Sequence, residues 1–146
     1  MSGTPQFRAP GRRRYALTDS PVGQPAWIVE KDKEWTDGDR APEDAVPRNR
    51  MLTNVMLYWL TSTAGSSARR YREAAPLAGV SPGSTSPTPM GVAVFAADIA
   101  RPVRRLAEKE DNVVHWSEHL RGGHVAAQEQ PDLFTGDVRA LFRRFR

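Results

Sequence analysis

Cysteine is absent from the 146 residues, which excludes disulfides and thiolate metal sites and leaves no redox compartment indicated. Long apolar runs are missing too: none approaches the roughly 18 residues needed to span a bilayer. The opening Met-Ser-Gly-Thr-Pro-Gln-Phe-Arg lacks the apolar stretch of a signal peptide. A soluble, cytoplasmic protein with no membrane partner is therefore expected. No zinc finger, RNA-recognition signature or aromatic-interleaved basic stripe is visible, although the net charge is +4. The positive excess gathers at the ends, in Arg12, Arg13 and Arg14 and in Arg143, Arg144 and Arg146. Arginines after a terminal helix suit its dipole, so no nucleic-acid partner is expected. No internal repeat is evident, and 39% hydrophobic content at this length suits one modest domain.

What is present is organised around residues 91–127. Residues 91–96, Gly-Val-Ala-Val-Phe-Ala, form a short apolar, β-branched run opened by glycine, which predicts a buried strand. Residues 101–109 place Val103, Leu106 and Ala107 at helical spacing between charges, with Pro102 in a first turn. Residues 112–116 are a second short β-type run. Strand, helix and strand on this scale make a βαβ unit with parallel strands. Parallel strands end at one edge of their sheet, and such edges hold the sites of open α/β proteins. Asp98 lies just past the first strand and His124 in the loop after the second, so the carboxylate and the imidazole are expected to meet there. Asp111 precedes the second strand and falls at the other edge, roughly 17 Å away.

The rest of the chain divides around that unit. Residues 1–14, rich in Gly, Pro and Arg, read as a disordered basic leader. Residues 15–80 read as helical. Ser20-Pro21 predicts an N-cap and first-turn proline for a helix reaching about Trp35, with Pro25 awkward in its second turn. Residues 36–49 read as a loop. Met51, Leu52, Val55, Met56, Trp59 and Leu60 share one broad helical face. Gly65 marks a break before a short charged helix at 68–75 that carries Tyr71. Residues 81–90 read as a Pro- and Ser-rich linker, and 91–146 as an α/β segment. The last of it, 131–145, is an amphipathic helix with Phe134, Val138, Leu141 and Phe145 on one stripe.

Three histidines are the candidates for chemistry. His115-Trp116-Ser117-Glu118-His119 matches the H-x-x-E-H pattern of a group of zinc peptidases, which needs both imidazoles on one helix face. Here the pattern starts in a predicted strand and runs into a loop, so no convergence on a metal is expected and His115 reads as structural. His124 follows Gly122 and Gly123, which allow a sharp turn that presents the next side chain. A carboxylate holding such an imidazole in one tautomer is the general-base half of a triad.

Tyr-Ala-Leu-Thr-Asp-Ser-Pro-Val-Gly (15–23), Ala-Trp-Ile-Val-Glu-Lys (26–31), Leu-Thr-Asn-Val-Met-Leu-Tyr-Trp-Leu-Thr-Ser-Thr-Ala-Gly-Ser-Ser (52–67) and Arg-Gly-Gly-His (121–124) carry a resemblance. Together they resemble the C-terminal part of the microsomal-type epoxide hydrolases, over residues 15–146. The resemblance implies an α/β-hydrolase fold, here as a C-terminal fragment: a helical lid remnant, then the last two parallel strands and flanking helices. It implies hydrolysis of a small-molecule epoxide to a diol through an alkyl-enzyme ester, without metal or cofactor. His124 matches the base, Asp98 the acid that orients it, and Tyr71 a lid tyrosine that hydrogen-bonds the epoxide oxygen. The family's nucleophile turn, Gly-Gly-Asp-Trp-Gly, and its His-Gly-Trp-Pro loop have no counterpart in these residues, and the usual proline before Asp98 is replaced by alanine. An N-terminally truncated chain of this kind is expected to be inactive alone; the alternative is a non-catalytic interaction protein that pairs with a separately encoded N-terminal half or with itself.

Overall fold

The structure, a computed structural model, describes residues 17–74 and 86–146. The basic leader and the first half of the linker lie outside the described residues. In chain order the elements are α1 (Gly23–Glu34), α2 (Arg48–Leu60), α3 (Ala64–Ala74), β1 (Ser86–Ala97), α4 (Arg104–Glu110), β2 (Asp111–Gly123), α5 (Ala126–Glu129) and α6 (Pro131–Phe142). Single 3-10 turns occur at Pro42–Asp44 and Arg143–Phe145. Two compact units emerge: one from the described residues up to Glu30 and those from Arg48 to Ala74, the other from Lys31–Pro47 and the described residues from Ser86 onward.

In the first unit Ser20 opens α1, its Oγ accepting the Gly23 N–H at 2.9 Å. Because α1 begins at Gly23, Pro25 falls in the first turn rather than the second, where its missing donor has no helical partner to lose. Leu17, Ala64 and Ala68 form the buried centre, with Trp27 and Tyr58 packed against it. The broad apolar face expected of α2 splits in two. Met51 and Val55, one turn apart, are buried, whereas Leu52, Met56, Leu57 and Leu60 stay exposed along an open groove. The break that follows is at Ser62, not Gly65, which lies inside α3. Ser62 takes a left-handed φ of 55°. Its N–H reaches the Trp59 carbonyl while the Thr63 N–H reaches the Tyr58 carbonyl, a Schellman closure without the usual glycine.

In the second unit β1 and β2 are parallel neighbours with α4 between them in sequence. Both strands are longer than the residue pattern suggested. β1 starts at Ser86, so the second half of the expected linker is strand; prolines 87 and 89 already hold an extended-compatible φ and sit where β1 needs few ladder donors. β2 runs to Gly123, and Ser117, Glu118 and His119, expected in a loop, pair with Ala93, Val94 and Phe95. α4 begins at Arg104 rather than 101 because the residue before Pro102 is sterically barred from the helical region and Val103 remains extended. The register slips near the top: Phe95 faces His119 but Ala97 faces Gly123, so β2 spends two more residues than β1 over that interval. Leu120, within the excess, is 92% exposed.

Phe95 and Val46 are buried in this unit, and a fully buried phenylalanine contributes about 1.5–3 kcal/mol. α6 lies close to β1 at Gly91, where an added Cβ would stand 2.7 Å from Leu141 Cδ2. No helix among the described residues is long and apolar enough to cross a membrane.

Candidate active site

Asp98 is the first residue after β1 and His124 the first after β2, so the parallel pairing delivers both to one edge. Their side chains meet: His124 Nδ1 lies 2.9 Å from Asp98 Oδ1. An ionised carboxylate only accepts, so the proton is on Nδ1, and the Nε2 lone pair is left to take a proton from elsewhere. The His124 side chain is 43% exposed and Asp98 25%, which keeps the pair open to solvent and reactants. Asp98 is itself fixed by a tight turn, its N–H donating to the Phe95 carbonyl at 3.1 Å.

The turn that presents His124 needs both glycines. Gly122 has φ 97°, and a Cβ on it would meet Phe95 Cδ1 at 2.8 Å. A Cβ on Gly123 would stand 2.6 Å from the Trp35 carbonyl oxygen, which is backbone and cannot yield. The His124 N–H donates to that same carbonyl at 2.8 Å, and the Trp35 ring meets the imidazole edge-on at 5.4 Å. The carboxylates of Asp37 and Glu129 join Trp35 around the loop by accepting its backbone N–H groups, and the residue pattern gives no sign of them, since bonds to backbone N–H groups leave no spacing in the sequence. Beside them Asp32 is buried with Oδ2 lacking a hydrogen-bond partner. Burial, and then the Glu129 charge, push its carboxyl above the ordinary range.

A cavity of about 470 Å³ adjoins the pair, walled by Phe95, Val125, Phe134, Val138 and Leu141. Asp137 on α6, which also lines it, holds a second cluster. His115 Nε2 is 2.9 Å from Asp137 Oδ1 and His119 Nε2 is 3.8 Å from it. His119 also stacks on Phe95 at 4.7 Å and bonds Ser117 Oγ at 3.2 Å. Because β2 continues through this segment, the two imidazoles share a face and do converge, contrary to the expectation from a loop; they converge on a carboxylate. Among the described residues no three His, Cys, Asp or Glu side chains are grouped to hold a metal ion. Burial pushes the Asp137 carboxyl up, but hydrogen bonds from Ser117 and His115 and the charges of both imidazoles outweigh it, leaving it below the ordinary range.

Tyr71 stands in the first unit, on α3, half-buried, with its ring edge-on to Trp27 at 6.0 Å. The structure brings Asp98 and His124 together, and Tyr71 is held in the other unit. Asp111 opens β2 at the end away from His124.

Solved structures resemble the chain in fold. Juvenile hormone epoxide hydrolase from the silkworm Bombyx mori superposes with a TM-score of 0.80 at 28% identity, over 97% of this chain and 38% of that one. The epoxide hydrolase of Aspergillus niger does so with a TM-score of 0.78 at 29% identity, over 95% and 34%. The fold is that of the C-terminal part of an α/β-hydrolase. No family model matches the chain, but individual sequences do. It is 47% identical over 133 residues to a Stigmatella aurantiaca (strain DW4/3-1) protein provisionally named epoxide hydrolase, covering 90% of this chain. It is 35% identical over 134 residues to epoxide hydrolase 1 of Sus scrofa, covering 85%. This chain is an epoxide hydrolase homologue, matching the C-terminal part of such enzymes. It spans about 30% of the length of the curated relatives it matches.

Proposed function

We propose that the chain carries the water-activating half of an epoxide hydrolase site, with His124 as general base and Asp98 as the acid that orients it. The observation that carries this reading is the 2.9 Å bond from His124 Nδ1 to Asp98, which leaves Nε2 to face a reactant. In the reaction, a carboxylate outside these 146 residues attacks an epoxide carbon and the C–O bond opens. Tyr71 gives its phenolic proton to the departing oxygen, which becomes a hydroxyl, and regains one from the carboxylic acid left when the ester is hydrolysed. His124 Nε2 then takes a proton from water as that oxygen attacks the ester carbonyl carbon. The ester C–O bond breaks, the imidazolium returns its proton to the alkoxide, and a vicinal diol leaves. Asp98 keeps its charge throughout and stabilises the transient imidazolium. The role of Tyr71 rests on the family resemblance.

Complementation tests it. The chain is combined with a polypeptide that supplies the Gly-Gly-Asp-Trp-Gly turn of a relative, and diol formation from styrene oxide in ¹⁸O-water is measured. Turnover that His124→Ala abolishes supports the reading; a stable complex whose turnover ignores His124→Ala overturns it. A second reading is a non-catalytic protein that associates with such a polypeptide, or with itself. Leu52, Met56, Leu57 and Leu60 on α2 favour it, being exposed together. Association without turnover is its signature.

A further inference from the structure

We propose that Glu129 and Asp37 are positioning residues for His124, acting through the backbone; this rests on reading His124 as the base. Four consecutive N–H groups leave the top of β2, and each has its own acceptor. Gly122 donates to Asp37 Oδ2 at 2.9 Å, Gly123 to Glu129 Oε2 at 2.9 Å, His124 to the Trp35 carbonyl at 2.8 Å, and Val125 to Glu129 Oε1 at 3.2 Å. Glu129 Oε2 accepts a further N–H, that of Asp37, at 2.8 Å. One carboxylate therefore ties the His124 loop to the segment 35–37, and a second carboxylate returns the tie.

None of these oxygens bonds the imidazole. Their effect is on where the backbone of residue 124 stands, and hence on whether Nδ1 reaches Asp98. Hydrogen bonds weaken steeply with misalignment, so a loop free to drift by about 1 Å would lose the bond that fixes the tautomer. N–H groups bonded to a carboxylate are held more strongly than those bonded to neutral oxygens. The same segment brings the Trp35 ring into perpendicular contact with the imidazole, so the tie restrains both the backbone and the ring of residue 124. Glu129→Gln keeps the shape but retains one acceptor oxygen, so either the Val125 bond or the Gly123 and Asp37 bonds are lost.

The test uses the full chain labelled with ¹⁵N-histidine, reading the Nδ1–H tautomer of each ring by long-range ¹H–¹⁵N correlation, and amide exchange of residues 122–125. His124→Gln assigns the ring. The expected result is that Glu129→Gln lowers the Nδ1–H population of His124 at least about twofold and speeds exchange at Gly123 or Val125 about tenfold. Asp37→Ala, an exposed side chain, does the same more weakly. Val46→Ala, which creates a void in the same unit, lowers Tm without moving the tautomer. An unchanged His124 tautomer in a folded Glu129→Gln chain overturns the proposal. So does loss of the folded spectrum in both Glu129→Gln and Asp37→Ala, because the carboxylates would then hold the fold and not the ring. Asp98→Asn separates the underlying reading: if it leaves the Nδ1–H signal intact, the base assignment itself fails; if it abolishes the signal while Glu129→Gln does not weaken it, only the positioning role fails.

Discussion

Two carboxylate–imidazole pairs in the second unit have the same 2.9 Å separation and opposite prospects. At the sheet edge Asp98 holds the Nδ1 of His124, and both side chains are substantially exposed. On α6, Asp137 meets the Nε2 of His115, with side-chain exposures of 11% and 13%. Asp137 also answers Ser117 and sits near His119, so its charge is divided among several donors. Separation alone therefore does not distinguish a base from a brace. What distinguishes them is which ring nitrogen is engaged, and whether the site is open to a reactant.

The largest test of that contrast swaps one carboxylate at a time. In the complemented enzyme, Asp98→Asn is expected to lower kcat about 10³–10⁴-fold by releasing the tautomer, with little change in Tm. Asp137→Asn is expected to leave kcat within about threefold but to cost about 2 kcal/mol of stability in urea titration, since buried partners lose their acceptor. If Asp137→Asn silences turnover while Asp98→Asn does not, the roles are reversed.

Next comes pH. The Asp137 carboxyl is depressed in the folded chain, so its contribution is fully present above the unfolded value near pH 4 and is lost as pH falls through the folded value. Asp32 runs the other way. Its carboxyl is raised, first by burial and then by Glu129, so ionising it in the folded state costs stability as pH rises out of the acid range. Tm measured from pH 3 to pH 7 should show Asp137→Asn flattening the acid loss. Asp32→Asn should stabilise at pH 7 and have no effect at pH 3. The smallest effect belongs to a surface pair one helical turn apart: removing Glu108 from its 2.7 Å contact with Arg104 should cost only about 0.3–0.5 kcal/mol.

The short apolar, β-branched runs at 91–96 and 112–116, with a charged helical stretch between, are enough to predict parallel strands and a shared edge where Asp98 and His124 meet. What extended those strands was not local. Residues 86–90 become strand because a partner is present, and Ser117–His119 because Ala93–Phe95 lie beside them. The meeting of His115 and His119 with Asp137 depends on where α6 lands, which Gly91 decides by leaving room for Leu141. Half of the α2 stripe reads as core in sequence yet stays exposed, since periodicity reports a face and not what covers it. The Glu129 and Asp37 ties were invisible because backbone N–H groups have no side-chain signature.

The two surplus residues of β2 act as a spacer. With an even ladder the position level with Ala97 would be Arg121, and the imidazole would stand two residues beyond the acid. The excursion at Leu120 takes up that length outside the ladder. Pairing lower in the sheet and the height of the ring above it are thereby decoupled, so a change confined to the excursion would raise or lower the imidazole against Asp98 while every paired residue beneath kept its neighbour.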